Sequence, residues 1–414
     1  MKKPLAQILH RVISATLVMG AGLGLPNTHA VYAATPEPTL PQTNNAACDP
    51  DGTAPSGAIY RICVPASPFW NGDLIVFAHG YIAPNQPVAI PESQLTLGGT
   101  SIISAALVLG YAFATTSYRA NGFVVKEGQA DLIDLVNLFK ASKGAPAHVI
   151  LIGASEGSLI TTLAIERHPE IFSGGLAICG PIGDFQKQVD YFGDFRVVFD
   201  AFYPGLLPGT AISVPQSLIA NWDAFAAITL TTAISNDVNS PLKLSQLMSV
   251  TGAAVDSNNL VSSTLQTVAE VLWYNVFATN DGIAKLGGQP YSNTARLYSG
   301  SLSDATLNAN VARFTSDFTA TQAIERNIQT TGNLFRPLIT MHTTGDDVIP
   351  FFHQALYKAK VVARNRTANY VDIAVPSYGH CAFTPLQLQT GLSQLVPLVA
   401  ASKFYRVALP VVYK

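Results

Sequence analysis

Charge is what this sequence has least of. Only 12% of its 414 residues are Asp, Glu, Lys or Arg, and 24 basic against 26 acidic residues leave a net charge of -2. Lys and Arg nowhere form a long run. A nucleic-acid groove or an anionic-membrane patch, both of which need concentrated positive charge, is therefore excluded. Cysteine is also scarce, with four in all. No CxxC or HxH spacing exists, so zinc is not indicated. Beyond the N-terminus no long uninterrupted apolar run is present, which excludes stable membrane insertion of the rest of the chain. What the chain does have is apolar bulk: 48% hydrophobic residues, too many for a disordered protein and enough for a substantial core.

The N-terminus stands apart. Lys2, Lys3 and Arg11 lead into an apolar stretch at 12–25, followed by small residues and a cleavage-like Val31-Tyr32-Ala33. Residues 1–33 read as a signal peptide, and the expected location is secreted or periplasmic. Residues 34–54, rich in Pro, Thr and Asn, read as a flexible N-terminal segment. Export implies an oxidising compartment, where the short separation of Cys48 and Cys63 favours a local disulfide. Cys179 and Cys381 fit either a second bond or two free thiols.

From there the pattern alternates. Residues 73–78 (DLIVFA), 111–116, 148–152 and 175–179 read as strands, nearly continuous in apolar character, as strands buried on both faces should be. Helical spacing covers 130–140 and 158–167 between them. This is the strand–helix rhythm of an α/β protein with a mostly parallel sheet. The rhythm breaks at 183–336, where helix-like pieces such as 215–228 and 260–276 predominate. It returns with strands at 337–342 and 370–375 and helices at 350–364 and 385–402. A core in two parts, 55–182 and 337–414, thus carries a large, mainly helical insertion at 183–336, since a structureless loop of that length would be anomalous. The tail at 404–413 reads as strand-like.

The sharpest local signal is Gly153-Ala154-Ser155-Glu156-Gly157, directly after the strand HVILI and ahead of a helix. A serine on such an elbow stands clear at the helix N-terminus, while flanking glycines prevent clashes with the neighbouring chain. A serine at its ordinary pKa attacks poorly and needs a base oriented by a third group. The histidines after the signal are His79, His148, His168, His342, His353 and His380. His148 and His168 read as structural, His342 closes a strand and His353 opens a helix. His380, in the loop SYGHCAF after the last strand, is placed to reach across the strand ends. For the orienting carboxylate, ITMHTTGDDVIPF offers Asp346, with Asp347 in the same turn as the alternative. The member left over is expected to be solvated or to cap a helix. Two N–H donors are also needed for a developing oxyanion. Glu156, after the nucleophile, and Tyr81, in the His79-Gly80-Tyr81 that follows DLIVFA, are the candidates. The Glu156 side chain is expected near the site entrance, without a chemical role.

Taken together, HGY after an early strand, GASEGS at the elbow, TGDDVIP after a late strand and YGHC near the end, in the order Ser, Asp, His, resemble an α/β-hydrolase. The resemblance covers about 55 to 402 and is similar in pattern to secreted esterases and lipases. It implies a lid at 183–336 and no metal or organic cofactor. It lacks the HGGG run of one large esterase and lipase branch, and Ser155 disfavours the branches that use an aspartate nucleophile.

The expected activity is hydrolysis of carboxylic esters, small or polymeric, through an acyl-enzyme. Phe199, Phe202, Tyr203, Trp222, Trp273 and Tyr274 in the insertion suggest an apolar or aromatic group on the substrate. Two alternatives remain: a serine peptidase anchoring a peptide terminus on Glu156, Asp190, Asp194 or Asp200, and a non-catalytic binding protein on a hydrolase scaffold.

Overall fold

A computed structural model describes residues 48–97 and 100–402. The signal at 1–33, most of the segment at 34–54 and the strand-like tail at 404–413 lie outside the described residues.

Eight strands form one sheet: β1 (Gly52–Thr53), β2 (Ile59–Cys63), β3 (Leu74–Ala78), β4 (Ala112–Thr116), β5 (Val149–Ala154), β6 (Gly174–Ile178), β7 (Leu338–Gly345) and β8 (Tyr370–Tyr378). Their order is β1-β2-β4-β3-β5-β6-β7-β8. The pairs β1–β2 and β2–β4 are antiparallel, and every other neighbouring pair is parallel. The interior strands are buried almost throughout, which is why they read as unbroken apolar runs.

Successive side chains enter opposite layers. Leu74, Val76 and Ala78 pack with Leu132, Val136, Leu159 and Leu163 of the helices Val125–Lys143 and Glu156–Arg167. Ile75 and Phe77 pack with Ala106, Leu395 and Val399 of the helices Ile102–Val108 and Pro385–Ala401. The parallel crossovers therefore leave a sheet covered on both faces, with the carboxyl ends of β3, β5, β7 and β8 free to carry loops.

Several sequence expectations need adjustment. The flexible segment does not extend to 54: Gly52 and Thr53 pair with Tyr60 and Ile59, and Arg61 bridges Asp51 and Glu92 at 2.8 Å each. Strand β2 (IYRIC) carries no continuous apolar signal because it is only half-buried and holds an arginine. The continuous helix expected at 215–228 is broken into Gln216–Ala220, Trp222–Ala224 and a π-helical Phe225–Leu230. At the break, Asn221 donates its side-chain amide to the Ser217 carbonyl (2.9 Å), a local bond that competes with the helix ladder. Strand β8 runs past 375 to Tyr378 with a register shift between Val375 and Tyr378, where Pro376 has no N–H for the ladder.

Between β6 and β7 the described residues form helices and connections, with only an isolated bridge between Thr210 and Ser213. The long helices Phe185–Phe202 and Leu260–Leu286 dominate this insertion, which has its own apolar centre around Phe195, Phe199, Trp222, Leu272 and Val276.

Candidate active site

Ser155 sits between β5 and the helix Glu156–Arg167 with φ 56 and ψ -123, a conformation that costs a non-glycine residue about 1–3 kcal/mol. The flanking glycines are sterically required. A Cβ on Gly153 would lie 2.0 Å from the Gly157 carbonyl oxygen, and one on Gly157 would lie 2.0 Å from that of Ala78. The turn can close only if both positions lack side chains.

The loops after β7 and β8 bring two further residues to this turn. His380 Nε2 lies 2.9 Å from Ser155 Oγ, and His380 Nδ1 lies 2.9 Å from Asp346 Oδ2. Asp346 is fully buried and is held from behind: its Oδ1 accepts the N–H groups of Val348 (3.0 Å) and Ile349 (2.8 Å), and His342 approaches Oδ2 at 3.3 Å. Burial alone would push the Asp346 pKa up. The charge of His380 and the hydrogen bonds from His342 and His380 outweigh it and hold the carboxyl below its usual range. For His380 burial works downward, yet Asp346, Asp347 and Glu270 together raise its pKa above the ordinary value.

Asp347 faces elsewhere. Its Oδ2 accepts the Tyr378 hydroxyl (3.1 Å), its carbonyl accepts that of Tyr191 (2.6 Å), and burial with the neighbouring Asp346 charge pushes its pKa up. It is thus buried, neither solvated nor capping a helix as expected of the leftover carboxylate. Glu156 also departs from expectation. Its side chain is buried rather than at an entrance, accepts the Val124 N–H at 2.9 Å, and is pushed up to about 8 by burial.

The residues offered as oxyanion donors, Tyr81 and Glu156, line the same cavity as Ser155. Glu156 is the first residue of its helix, so its N–H has no intrahelical acceptor. Gly80 abuts the nucleophile, since a Cβ there would lie 3.0 Å from Ser155 Cβ, and this sets Tyr81 beside it. Gln94 fixes the loop by accepting the Gly80 N–H at 2.6 Å. His79 stacks on Tyr118 and is driven down to about 4 by burial, so it is a neutral structural residue.

A cavity of about 130 Å³ opens at Ser155, with Tyr81, Phe123, Phe192, Tyr274 and Val348 in its lining. Of the insertion's aromatics singled out in sequence, only Tyr274 reaches it; Phe199 and Trp222 are fully buried in the insertion's own centre. The Tyr274 ring stacks on Phe192 (5.4 Å between centroids, 4° between planes) and lines the cavity with Ser155, whose side chain partly offsets the rise that burial imposes on the Tyr274 pKa. In sequence Tyr274 is indistinguishable from its aromatic neighbours, because rings at helical spacing look alike whether they face a core or a pocket.

Tyr274 belongs to Leu260–Leu286, a helix tied along its length to three other segments. The Tyr378 hydroxyl contacts Ser263 and Thr267, the Tyr81 hydroxyl donates to the Phe277 carbonyl, Asp281 accepts the Phe123 N–H, and Lys285 donates to the Asn121 carbonyl. Elsewhere in the insertion Asp190, Asp194 and Asp200 are already paired. Asp190 and Asp194 share Arg296, Asp194 also accepts the hydroxyls of Tyr291 and Tyr298, and Asp200 is bonded to the buried Arg196.

All four cysteines are bonded, Cys48 to Cys63 and Cys179 to Cys381. Among the described residues one group of potential metal ligands converges, Cys179, His380 and Cys381, but its two sulfurs are already joined to each other.

A mostly parallel eight-stranded sheet with helices on both faces, and a serine on a tight turn between β5 and a helix, constitute the α/β-hydrolase fold. No family model and no curated protein matches the sequence. Solved structures similar in overall course include an esterase of Pyrococcus furiosus, 12% identical, with a TM-score of 0.42 over 86% of this chain and 90% of that one. Candida antarctica lipase A in its closed state is 14% identical, with a TM-score of 0.39 over 86% and 78% of the two chains. The acylaminoacyl peptidase of Pyrococcus horikoshii is 10% identical, with a TM-score of 0.39 over 84% of this chain but 40% of its own. Likeness this distant carries no substrate with it.

Proposed function

We propose that this protein is a secreted serine hydrolase that cleaves carboxylic esters bearing an apolar or aromatic group. One observation carries the reading: the unbroken hydrogen-bond chain Ser155–His380–Asp346 ends at an apolar, aromatic-lined cavity. His380 takes the Ser155 proton as Oγ attacks the ester carbonyl, while Asp346 holds the imidazole in the useful tautomer and stabilises the imidazolium. The N–H groups of Tyr81 and Glu156 receive the oxyanion. Collapse expels the alcohol, which takes its proton from His380, and water repeats the sequence on the acyl-enzyme. The two disulfides support an oxidising location.

Peptide cleavage is the less favoured activity, because Glu156, Asp190, Asp194 and Asp200, the acidic groups proposed to anchor a peptide terminus, are engaged by protein partners. The test pairs Ser155→Ala with wild type. Wild type should react with a fluorophosphonate and turn over p-nitrophenyl esters faster than aminoacyl p-nitroanilides, and the variant should do neither while keeping its thermal unfolding midpoint. Equal, poor labelling of both proteins favours a non-catalytic scaffold; faster amide turnover favours the peptidase.

A further inference from the structure

The Cys179–Cys381 bond closes directly on the triad. Cys179 follows β6, the strand between β5, which delivers Ser155, and β7, which delivers Asp346. Cys381 follows His380, and its Sγ lies 3.6 Å from His380 Nε2, the nitrogen that faces Ser155 Oγ. Both cysteines occupy left-handed backbone, φ 50 and φ 54, a region that residues other than glycine seldom adopt. The remaining ties of this loop are unevenly placed. Before His380, the Gly379 N–H donates to the Gly345 carbonyl (3.0 Å), and the Gly379 carbonyl accepts the Thr343 hydroxyl (2.8 Å), both on β7. After it, the Phe383 N–H donates to the Cys381 carbonyl (2.9 Å), a bond inside the loop itself. On that side the disulfide is the covalent fastening, made to the end of β6, beside the packing of Phe383 into the apolar layer.

We propose that Cys179 and Cys381 are positioning residues: their bond holds the His380 imidazole in register with Ser155, so turnover depends on it beyond any contribution to folding. The inference rests on the serine-hydrolase reading. Its physical basis is the steep dependence of proton transfer and attack on geometry, where a displacement of ~1 Å costs about a hundredfold. The molecule contains its own control. Cys48–Cys63 anchors to β2, separated from β5 by β4 and β3, so its loss removes a covalent tie without touching His380.

The experiment compares the full protein with the double variants Cys179→Ala/Cys381→Ala and Cys48→Ala/Cys63→Ala, well below their unfolding temperatures, on a p-nitrophenyl ester. The first should lose at least about tenfold in kcat with KM nearly unchanged, and the second should keep kcat. A smaller loss in the first, or an equal loss in both, overturns the proposal. If the first variant does not fold, the Cys48→Ala/Cys63→Ala protein is treated with dithiothreitol, which closes to its cyclic disulfide as two thiols appear on the protein. kcat should fall in step with titrated thiols and return on reoxidation; thiols that appear while kcat stands refute the inference. Failure of the underlying reading looks different, because wild type would then neither label with a fluorophosphonate nor turn over the ester.

Discussion

Replacing Asp346 with Asn preserves shape and removes charge, and the structure sets the size of the effect. When His380 takes the Ser155 proton, the imidazolium forms 2.9 Å (Nδ1 to Oδ2) from a carboxylate that is fully buried. With charge centres ~4 Å apart and an effective dielectric of ~20, the attraction amounts to about 4 kcal/mol. Its loss in the transition state slows turnover about a thousandfold. A second penalty comes from the support behind the carboxylate. Val348 and Ile349 donate their N–H groups to Oδ1, so the Asn oxygen stays there and its amide nitrogen turns toward His380 Nδ1. The imidazole can accept that bond only by moving its proton to Nε2, the atom that must receive a proton from Ser155. Together the two effects lower kcat by about 10³- to 10⁴-fold with little change in KM. Initial rates at saturating p-nitrophenyl ester, with folding checked by circular dichroism, measure this directly. Asp347→Asn in the same assay loses less than about tenfold, because that side chain bonds Tyr378 and not the imidazole. Asp346→Asn retaining more than about a tenth of wild-type kcat, or Asp347→Asn falling as far, refutes the assignment.

Three other outcomes follow from the same geometry. His380 must be neutral to act as base, and Asp346, Asp347 and Glu270 outweigh burial to raise its pKa above 6.5, so kcat/KM should rise with pH through a midpoint above that value and Asp346→Asn should lower the midpoint; a wild-type acid limb below 6.5 contradicts this. Tyr274→Phe removes a hydroxyl that shares the cavity with Ser155 and should cost about five- to tenfold in kcat, checked by steady-state kinetics, with an unchanged rate counting against a role for the phenol. Glu156 keeps its proton in the folded state up to about 8, whereas the unfolded chain releases it near 4.5, so its contribution to stability is present at low pH and is lost as pH rises through that window. Glu156→Gln should therefore gain on wild type between pH 5 and pH 9 in urea unfolding, and a constant difference would show that the carboxyl ionises freely.

Strong local signals make much of the sheet, and the residues gathered at the Ser155 turn, readable from sequence. Runs such as DLIVFA and HVILI are apolar because both faces of their strands are covered, and Gly153 and Gly157 are glycines because no other residue fits the turn. The choice between Asp346 and Asp347 lay beyond pattern, since adjacent carboxylates in one turn differ only in which way the backbone aims them. The Glu156 side chain departs from pattern for a similar reason: charge suggests solvent, whereas the carboxyl is buried and accepts the Val124 N–H. Strand β2 was hidden by Arg61, whose charge is spent on Asp51 and Glu92 at the sheet edge. Tyr274 and the Cys179–Cys381 bond were hidden by distance along the chain, because their meaning depends on partners more than a hundred residues away.

The helix Leu260–Leu286 behaves as a ridge-pole laid over the loops that form the reaction chamber. Because Ser263 and Thr267 meet one rafter at Tyr378, Phe277 a second at Tyr81, and Asp281 and Lys285 a third at 121–123, the beam is pinned near both ends and at its middle to the loops around the nucleophile and the histidine. Grafting a foreign roof onto this body would therefore have to retain that beam, whereas the stretch at 211–212 and the cavity-facing side of the helix Phe185–Phe202 are the natural places to reshape the chamber for a new guest.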